Sequence, residues 1–204
     1  MSSTIATPIG SRANALAEKP DSVVLAARRS SSSGIWVGVF AITMSFAAFS
    51  SALVVREGTT DWSHLVLPPL LYLNTVFILA SSLTLELSRR ALREAAGARS
   101  AAGWIGLTLL LGMAFCFGQY RAWLDLRAQG IYLATNPNSS FFYVLTFMHA
   151  LHVLAGLSAL AYLGYRLRAM PKAFRRSIFE NTAIYWHFMA ALWVYLLLLC
   201  RAEL

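Results

Sequence analysis

The fold is decided by the stretch E-N-T-A-I-Y-W-H-F-M-A-A-L-W-V-Y-L-L-L-L, residues 180–199. It is apolar and about long enough to cross a bilayer as a helix, yet it contains Glu180 and His187. A helical repeat places these two side chains on one face, together with Ile184, Ala191 and Val194. An unpaired titratable group in hydrocarbon costs several kcal/mol. We therefore expect other helices of the chain to cover this face.

The composition indicates a membrane protein. Of the 204 residues, 58% are hydrophobic and only 13% are charged, whereas a soluble domain has about 25% charged residues. The excess of 17 Lys and Arg over 9 Asp and Glu could suggest nucleic acid. These basic residues, however, occur in short clusters between apolar runs, an arrangement typical of membrane topology signals. We therefore expect no nucleic-acid partner.

The apolar runs predict an all-α polytopic bundle of five transmembrane helices. Residues 1–33 are rich in Ser, Ala and Pro, and we interpret them as a mobile cytoplasmic tail. Residues 34–204 would form the bundle. The predicted spans are about 34–55, 68–87, 101–123, 141–163 and 180–201, each sufficient for a hydrocarbon core of about 30 Å.

The basic residues also predict an orientation. The tail, the loop between the second and third spans, and the loop between the fourth and fifth spans hold 13 of the 17 Lys and Arg. Basic loops remain on the cytoplasmic side. The N-terminus is therefore predicted in the cytoplasm and the C-terminus outside.

Three membrane histidines are candidates for chemistry. His149 and His152 lie three residues apart in the fourth span, and His187 lies in the fifth. Such residues can ligate haem or a metal, or each imidazole can donate a hydrogen bond to a neighbouring helix. His187 and His149 fall in opposite halves of the bilayer, which disfavours a shared haem, although His152 could approach His187 in depth. We favour the structural interpretation.

Glu180 has three interpretations. It could act as a proton antenna at the membrane surface, contact a lipid headgroup, or be a helix N-terminal carboxylate paired with a nearby arginine. We favour the last. Glu86 is similarly expected to pair with Arg89 and Arg90. The sequence contains no Ser-His-Asp, Cys-x-x-Cys, HExxH or phosphate-loop pattern, so we assign no catalytic, cofactor-binding or metal-ligating residue.

Several motifs together resemble cytochrome c oxidase subunit III, in its short five-helix bacterial form. The segment Tyr185-Trp186-His187-Phe188 with Trp193 is similar to the YWHF…W signature of that family's last helix. The preceding helix has F-F-Y-V-L-T-F-M-H-A-L-H-V-L-A-G at residues 141–156, which resembles that family's FFxLTxxHxxHVxxG run. The earlier helices match at Gly34-Ile35-Trp36, at Asn74-Thr75 with Ser81-Ser82 and Thr84, and at Gly112, Gln119 and Trp123. All five matches occur in order, over about residues 34–201.

This resemblance implies a non-redox accessory subunit of a haem–copper terminal oxidase, in a bacterial inner membrane. Such a subunit packs on subunit I, in a complex that also contains subunit II, holds phospholipid between its helices, and supports proton uptake. It implies no cofactor in this chain, with haem and copper in the partner subunits. The residues that the resemblance suggests for lipid or subunit contact are Asn74, Gln119, Trp123, His149, His152, Glu180, Tyr185, Trp186, His187 and Trp193.

Three positions depart from the family's pattern. Many relatives have an acid where this chain has Ile42, Ala122 and Ala190. The losses count against a proton-antenna role inside the membrane. They also suggest a divergent subfamily, whose oxidase would partner an alternative complex III.

Three other functions compete with this interpretation. An accessory subunit of a nitric oxide reductase would share similar helix motifs. A small proton or solute transporter is disfavoured because the helices show no inverted repeat and no broken mid-membrane segment. A stand-alone haem enzyme would bind haem in the isolated chain.

Overall fold

The structure is a computed structural model that describes residues 19–57, 68–93, 97–133, 137–169 and 176–203. These residues form five α-helices and no strand. The helices are α1 (Lys19–Glu57), α2 (Leu70–Arg93), α3 (Gly97–Ala128), α4 (Pro137–Ala169) and α5 (Arg176–Glu203). Each contains a segment long and apolar enough to cross a membrane. The predicted all-α class and the five spans are therefore confirmed for the described residues.

Most helices extend beyond the predicted apolar spans. The end of an apolar run marks the expected edge of the bilayer, whereas a helix continues wherever its local backbone hydrogen bonds can form. The largest difference is in α1, which begins at Lys19, within the segment expected to be a tail. Residues 1–18 lie outside the described part of the chain, so the mobile tail and the boundary at residue 34 stay predictions.

Proline and glycine mark two helix ends. Pro68 and Pro69 precede α2, and their carbonyl groups accept hydrogen bonds from the amides of Leu71 and Tyr72 at 3.1 Å. Proline fits there because the first amides of a helix have no helical partner. At the end of α3, Gly130 has a φ of +79°, which lets the amide of Ile131 reach the carbonyl of Leu126 at 3.0 Å. This is a Schellman-type C-cap.

Helix α5 lies at the centre of the bundle. It packs against α1, α2 and α4, while the most extensive helix pair is α2 with α3. Half of the residues in the apolar membrane-spanning segment of α5 are buried inside the protein. In the corresponding segment of α1, only 17% are buried. The helix with the decisive stretch of sequence is therefore enclosed by the other helices, and α1 lies at the edge of the bundle.

Candidate functional site

Four polar contacts follow one another along the interface between α2 and α5. The indole nitrogens of Trp193 and Trp186 donate to the hydroxyl groups of Thr75 and Ser81, each at 3.0 Å. The other two contacts join His187 Nδ1 to Ser82 Oγ and Arg89 to Glu180. Residue numbers rise along α2 as they fall along α5, so the helices are antiparallel. We call these four contacts the polar ladder.

Trp186 contacts three helices from its position on α5. The side chain is 1% exposed, and its ring passes so close to Gly112 on α3 and Gly156 on α4 that a Cβ there would lie 2.9 Å and 3.0 Å from it. Ser81 on α2 accepts its N–H and donates its own hydroxyl to the carbonyl of Ile78 at 2.7 Å. The donors of both side chains are thus satisfied in a region without bulk water.

Trp193 makes a second junction between helices, about two turns after Trp186 on α5. Its ring lies edge-on to Phe115 of α3, with centroids 4.8 Å apart, and 5.2 Å from the imidazole of His149 on α4. The Phe115 and His149 rings are themselves 5.8 Å apart. Aromatic rings at such distances attract each other beyond simple burial. His149 is therefore part of an aromatic cluster with Phe115 and Trp193.

Glu180 lies in a cluster of arginines at one end of the bundle. Its carboxylate is 3.3 Å from Arg89 Nη1, 3.8 Å from Arg93 Nη2 and 3.6 Å from Arg176 Nε. Arg89 also pairs with Glu86 at 2.9 Å. The expected pairing of Glu180 with a nearby arginine is confirmed, and so is that of Glu86, which also lies 3.8 Å from Arg90.

The remaining aromatic candidates make hydrogen bonds between helices. Tyr185 on α5 donates its hydroxyl to the carbonyl of His152 on α4 at 2.9 Å. Trp123 on α3 donates its indole N–H to Thr146 on α4 at 3.1 Å. Both contacts join neighbouring helices, and polar side chains commonly make such hydrogen bonds across membrane helices.

The expectation that every histidine donates to another helix is wrong for two of the three. The ring of His152 bonds to the carbonyl of Met148 in its own helix at 2.7 Å and packs near Phe46 of α1. His149 is fully buried, and its ring nitrogens have no hydrogen-bond partner among the described residues. Of these three imidazoles, only that of His187 contacts a hydroxyl of a neighbouring helix in the described part of the chain. The His149 ring packs against aromatic rings instead, and the His152 ring bonds within its own helix.

Two side-chain amides are buried inside the bundle. Asn74 and Gln119 are 0% and 2% exposed, and within the described ranges neither side-chain amide has a hydrogen-bond partner. Asn74 lies directly over Gly118, where a Cβ would be 2.0 Å from its Oδ1. These residues lie at helix interfaces through packing and not through direct hydrogen bonds between helices.

Sequence reasoning missed two contacts between α2 and α3. The hydroxyls of Thr84 and Thr108 share a hydrogen bond at 2.9 Å, and Ser88 donates to the carbonyl of Ala101 at 2.9 Å. The sequence did contain a signal for these contacts, because one face of α2 carries Ser81, Thr84 and Ser88. Their partners on α3 are a lone threonine and a backbone carbonyl, which no motif identifies.

The three positions where the resemblance leads us to expect acids, Ile42, Ala122 and Ala190, lie in apolar surroundings. Ala122 and Ala190 are buried, at 0% and 3% exposure. Ile42 is half-buried and packs against the hydrophobic core. Each side chain therefore fills space between helices without a titratable group.

The geometry of the site suits assembly. Two tryptophans of α5 tie α2, α3 and α4 together, and the ladder ends in an ion-paired cluster. Over the described residues, no group of three or more His, Cys, Asp or Glu side chains is arranged to hold a metal ion. The site can hold the helices in register and present arginines at the membrane edge.

Comparisons with known proteins identify a family for this chain. Residues 35–201 match the family model described as cytochrome c oxidase subunit III. The chain is 32% identical over 171 residues to cytochrome c oxidase subunit 3 of a Synechocystis species, covering 82% of this chain and 69% of that protein. It is 30% identical over 156 residues to the subunit 3 of Corynebacterium diphtheriae, covering 73% of this chain and 74% of that protein.

The chain also matches a relative whose name specifies ubiquinol, and not cytochrome c, as the electron donor. Subunit 3 of the cytochrome bo(3) ubiquinol oxidase of Pseudomonas aeruginosa is 27% identical over 172 residues, covering 79% of each chain. The family match extends over the apolar part of α1 and nearly all of α2 to α5. The chain therefore belongs to the cytochrome c oxidase subunit III family, as a multi-pass membrane subunit of a haem–copper oxidase.

Proposed function

We propose that this chain is the non-redox subunit III of a bacterial haem–copper terminal oxidase, where it packs on subunit I, in a complex with subunit II, and stabilises that complex. The observation that carries the proposal is the family match across residues 35–201. The haem and copper of the complex would reside in its partner subunits, which oxidise the electron donor and reduce oxygen.

The distribution of contacts supports a stabilising role. His187, Tyr185, Trp186 and Trp193 of α5 all make hydrogen-bonding contacts with other helices of this chain, which ties the bundle together. Large apolar side chains on α1 point outward, with Trp36 58% exposed, Val37 69% and Phe40 63%. In a membrane, such a face packs against lipid or against another subunit's helices. We assign subunit contact to α1, because it is the least buried helix of the bundle.

The proposal includes bound phospholipid and support for proton uptake. Ala122 and Ala190 are buried and Ile42 is half-buried, without a titratable group at any of the three. Support for proton uptake would then depend on the charged end of the bundle around Glu180 and not on acids deeper in the membrane. The three missing acids also favour a divergent subfamily associated with an alternative complex III.

Purification in mild detergent tests the proposal. The tagged chain should copurify with a haem–copper oxidase subunit I, and the complex should contain haem and copper. The isolated chain should show no haem absorption. The copurifying proteins will also identify the electron donor and any alternative complex III. A tagged, unrelated membrane protein from the same cells controls for nonspecific capture.

Each competing function has a distinct outcome in the same preparation. Copurification with the catalytic subunit of a nitric oxide reductase would favour that complex. Solute or proton transport by the purified chain in liposomes would favour a transporter. A haem spectrum in the isolated chain would favour a stand-alone haem protein. Any of the three results would overturn the oxidase proposal.

A further inference from the structure

A groove with a volume of about 500 Å³ opens between α3 and α4, at the end of the bundle that also contains Glu180. Five of its nine lining residues are alanine or glycine: Ala102, Gly106, Ala161, Gly164 and Ala169. The two helices approach closely at Gly164, where a Cβ would lie 3.3 Å from Ile105. At Gly106, by contrast, a Cβ would meet nothing within 4 Å. The groove therefore owes its space to small residues on both helices, and Gly106 is open to that space.

Helical spacing places these small residues in line with two arginines. On α3, Arg99, Ala102 and Gly106 follow one another at intervals of three and four residues. On α4, Gly164 and Arg168 are four residues apart. Residues at such intervals share one face of a helix. Each wall of the groove is therefore continued by an arginine.

The register of the two helices places both arginines at one mouth of the groove. Helices α3 and α4 are antiparallel, and a hydrogen bond joins Trp123 to Thr146. Arg99 lies 24 residues before Trp123, and Arg168 lies 22 residues after Thr146. At 1.5 Å per residue, the two arginines are level to within about 3 Å. Both side chains are exposed, so they can act together on one ligand.

These two charges are not neutralised within the part of the chain that the structure describes. Neither Arg99 nor Arg168 takes part in the ion pairs there, all of which involve Glu86 or Glu180. A guanidinium group presents a planar fork of N–H donors that matches the two oxygens of a carboxylate. The mouth of the groove is therefore complementary to an acidic group.

The walls of the groove favour a helix over an acyl chain as the occupant. Small residues let the backbones of membrane helices approach closely, which increases the van der Waals contact between them. A flexible acyl chain adapts to apolar surfaces of any shape and gains nothing specific from alanine and glycine on both walls. A helix also holds its end turn at a fixed depth, so a carboxylate there can lie beside both arginines.

The charges disfavour a second copy of this chain. Copies of one protein share one orientation in a membrane, so a second copy would bring its own arginines to the same end. Glu86 and Glu180, described acids at that end, are already paired with Arg89. The occupant that fits is a helix of another chain with an unpaired acid near its end, because complementary charge selects the partner and its register.

We propose that the groove between α3 and α4 seats a transmembrane helix of another protein chain, with an Asp or Glu of its end turn paired with Arg99 and Arg168. The facing surface of that helix would carry small or apolar residues that fit against Gly106 and Ala161. This inference deepens the proposed function, because it assigns a second contact surface besides α1, and it rests on that proposal.

Photocrosslinking in the intact oxidase complex tests the groove. Tyr165 lines the groove and is 64% exposed, so Tyr165→benzoylphenylalanine places a photoreactive ring there with little change in shape. We expect an adduct with a transmembrane peptide of another subunit that carries an Asp or Glu near the level of the arginines. The matched control is Tyr195→benzoylphenylalanine, on exposed Tyr195 of α5, which should not give that adduct.

Filling the groove should release the partner helix. We expect Gly106→Leu to lower the crosslinked and copurified amount of that subunit about 10-fold, because the added side chain overpacks the interface. Gly103→Leu is the matched control, since a Cβ at either glycine meets nothing within 4 Å but Gly103 does not line the groove. Gly106→Ala should give an intermediate amount, which preserves the test if the leucine variant fails to fold.

Charge reversal tests the mouth of the groove separately. Arg99→Glu with Arg168→Glu should also release the subunit, and replacing the acid of the crosslinked peptide by Arg should restore it. Arg121→Glu with Arg201→Glu is the charge-matched control, because both residues are exposed and lie towards the other end of the bundle.

Several outcomes would overturn the proposal. These are adducts with phospholipid alone, adducts with a second copy of this chain, equal yields from Gly106→Leu and Gly103→Leu, and no effect of charge reversal at the groove. Copurification of the wild-type chain with subunit I is scored separately. Failure of the groove is thereby distinguishable from failure of the proposed function.

Discussion

The indole N–H of Trp186 on α5 donates to the hydroxyl of Ser81 on α2 at 3.0 Å, in a part of the bundle where Trp186 is 1% exposed and Ser81 is fully buried. This bond should contribute measurably to stability. In a double-mutant cycle with Ser81→Ala and Trp186→Phe, we expect a coupling of about 0.6 kcal/mol and no more than about 1.7 kcal/mol, the average and the maximum measured for such bonds between membrane helices. Unfolding in mixed detergent micelles measures it. A coupling near zero would mean that the contact is incidental.

Close packing of Gly118 against Asn74 should make any larger residue at position 118 destabilising. A Cβ at Gly118 would lie 2.0 Å from Asn74 Oδ1, so we expect Gly118→Ala to cost about 1 to 3 kcal/mol. Adding Asn74→Ala should restore much of the loss, because it removes the clashing amide. Gly103→Ala is the matched control, since a Cβ there meets nothing within 4 Å. Failure of Asn74→Ala to rescue would place the strain elsewhere.

The bundle should tolerate replacement of the His149 imidazole by an aromatic hydrocarbon ring. Its imidazole packs against Phe115 and Trp193 and has no hydrogen-bond partner in the described structure. We expect His149→Phe to change the free energy of unfolding by less than about 1.5 kcal/mol. His149→Ala should cost about 3 to 5 kcal/mol, by analogy with the loss of other large buried rings. Equal losses in the two variants would show that the ring nitrogens make an essential bond.

His187 should matter for assembly and not for haem. Its contact with Ser82 lies inside the polar ladder, so His187→Ala leaves a partly buried hydroxyl without that partner. We expect weaker association with subunit I or less retained lipid, with an unchanged haem spectrum of the oxidase. Leu198→Ala, on the same helix and 61% exposed, serves as the control. Loss of haem absorption on His187→Ala would contradict the structural role.

The Glu180 ion pairs should contribute little to stability by themselves. The Glu180 side chain is 34% exposed and Arg93 and Arg176 are more than half exposed, so solvent screens these charges. We expect Glu180→Gln to cost no more than about 1 kcal/mol of unfolding free energy, and less at high salt. Thermal unfolding at two salt concentrations measures it. A larger, salt-independent loss would indicate a buried role for the carboxylate.

Much of the fold follows from local sequence. The five apolar runs predict five helices because backbone hydrogen bonds must be satisfied within each segment in a membrane. The seven-residue spacing of Glu180 and His187 predicts a shared face because a helix repeats every 3.6 residues. Both side chains do face α2. The pairing of Glu86 with Arg89 and Arg90 is equally local, since these residues lie three and four positions apart.

The partners between helices were decided only by the tertiary structure. Trp186 meets Gly112 and Gly156, and Arg89 meets Glu180, because the helices pack at one particular register and depth. A shift by one turn, about 5.4 Å, would leave every helical periodicity unchanged but change all of these partners. The same register leaves Asn74, Gln119 and His149 without direct hydrogen bonds in the described residues. The sequence by itself determined which face of α5 must be covered, whereas helix packing decided what covers it, because contacts 91 to 118 residues apart depend on register and not on spacing.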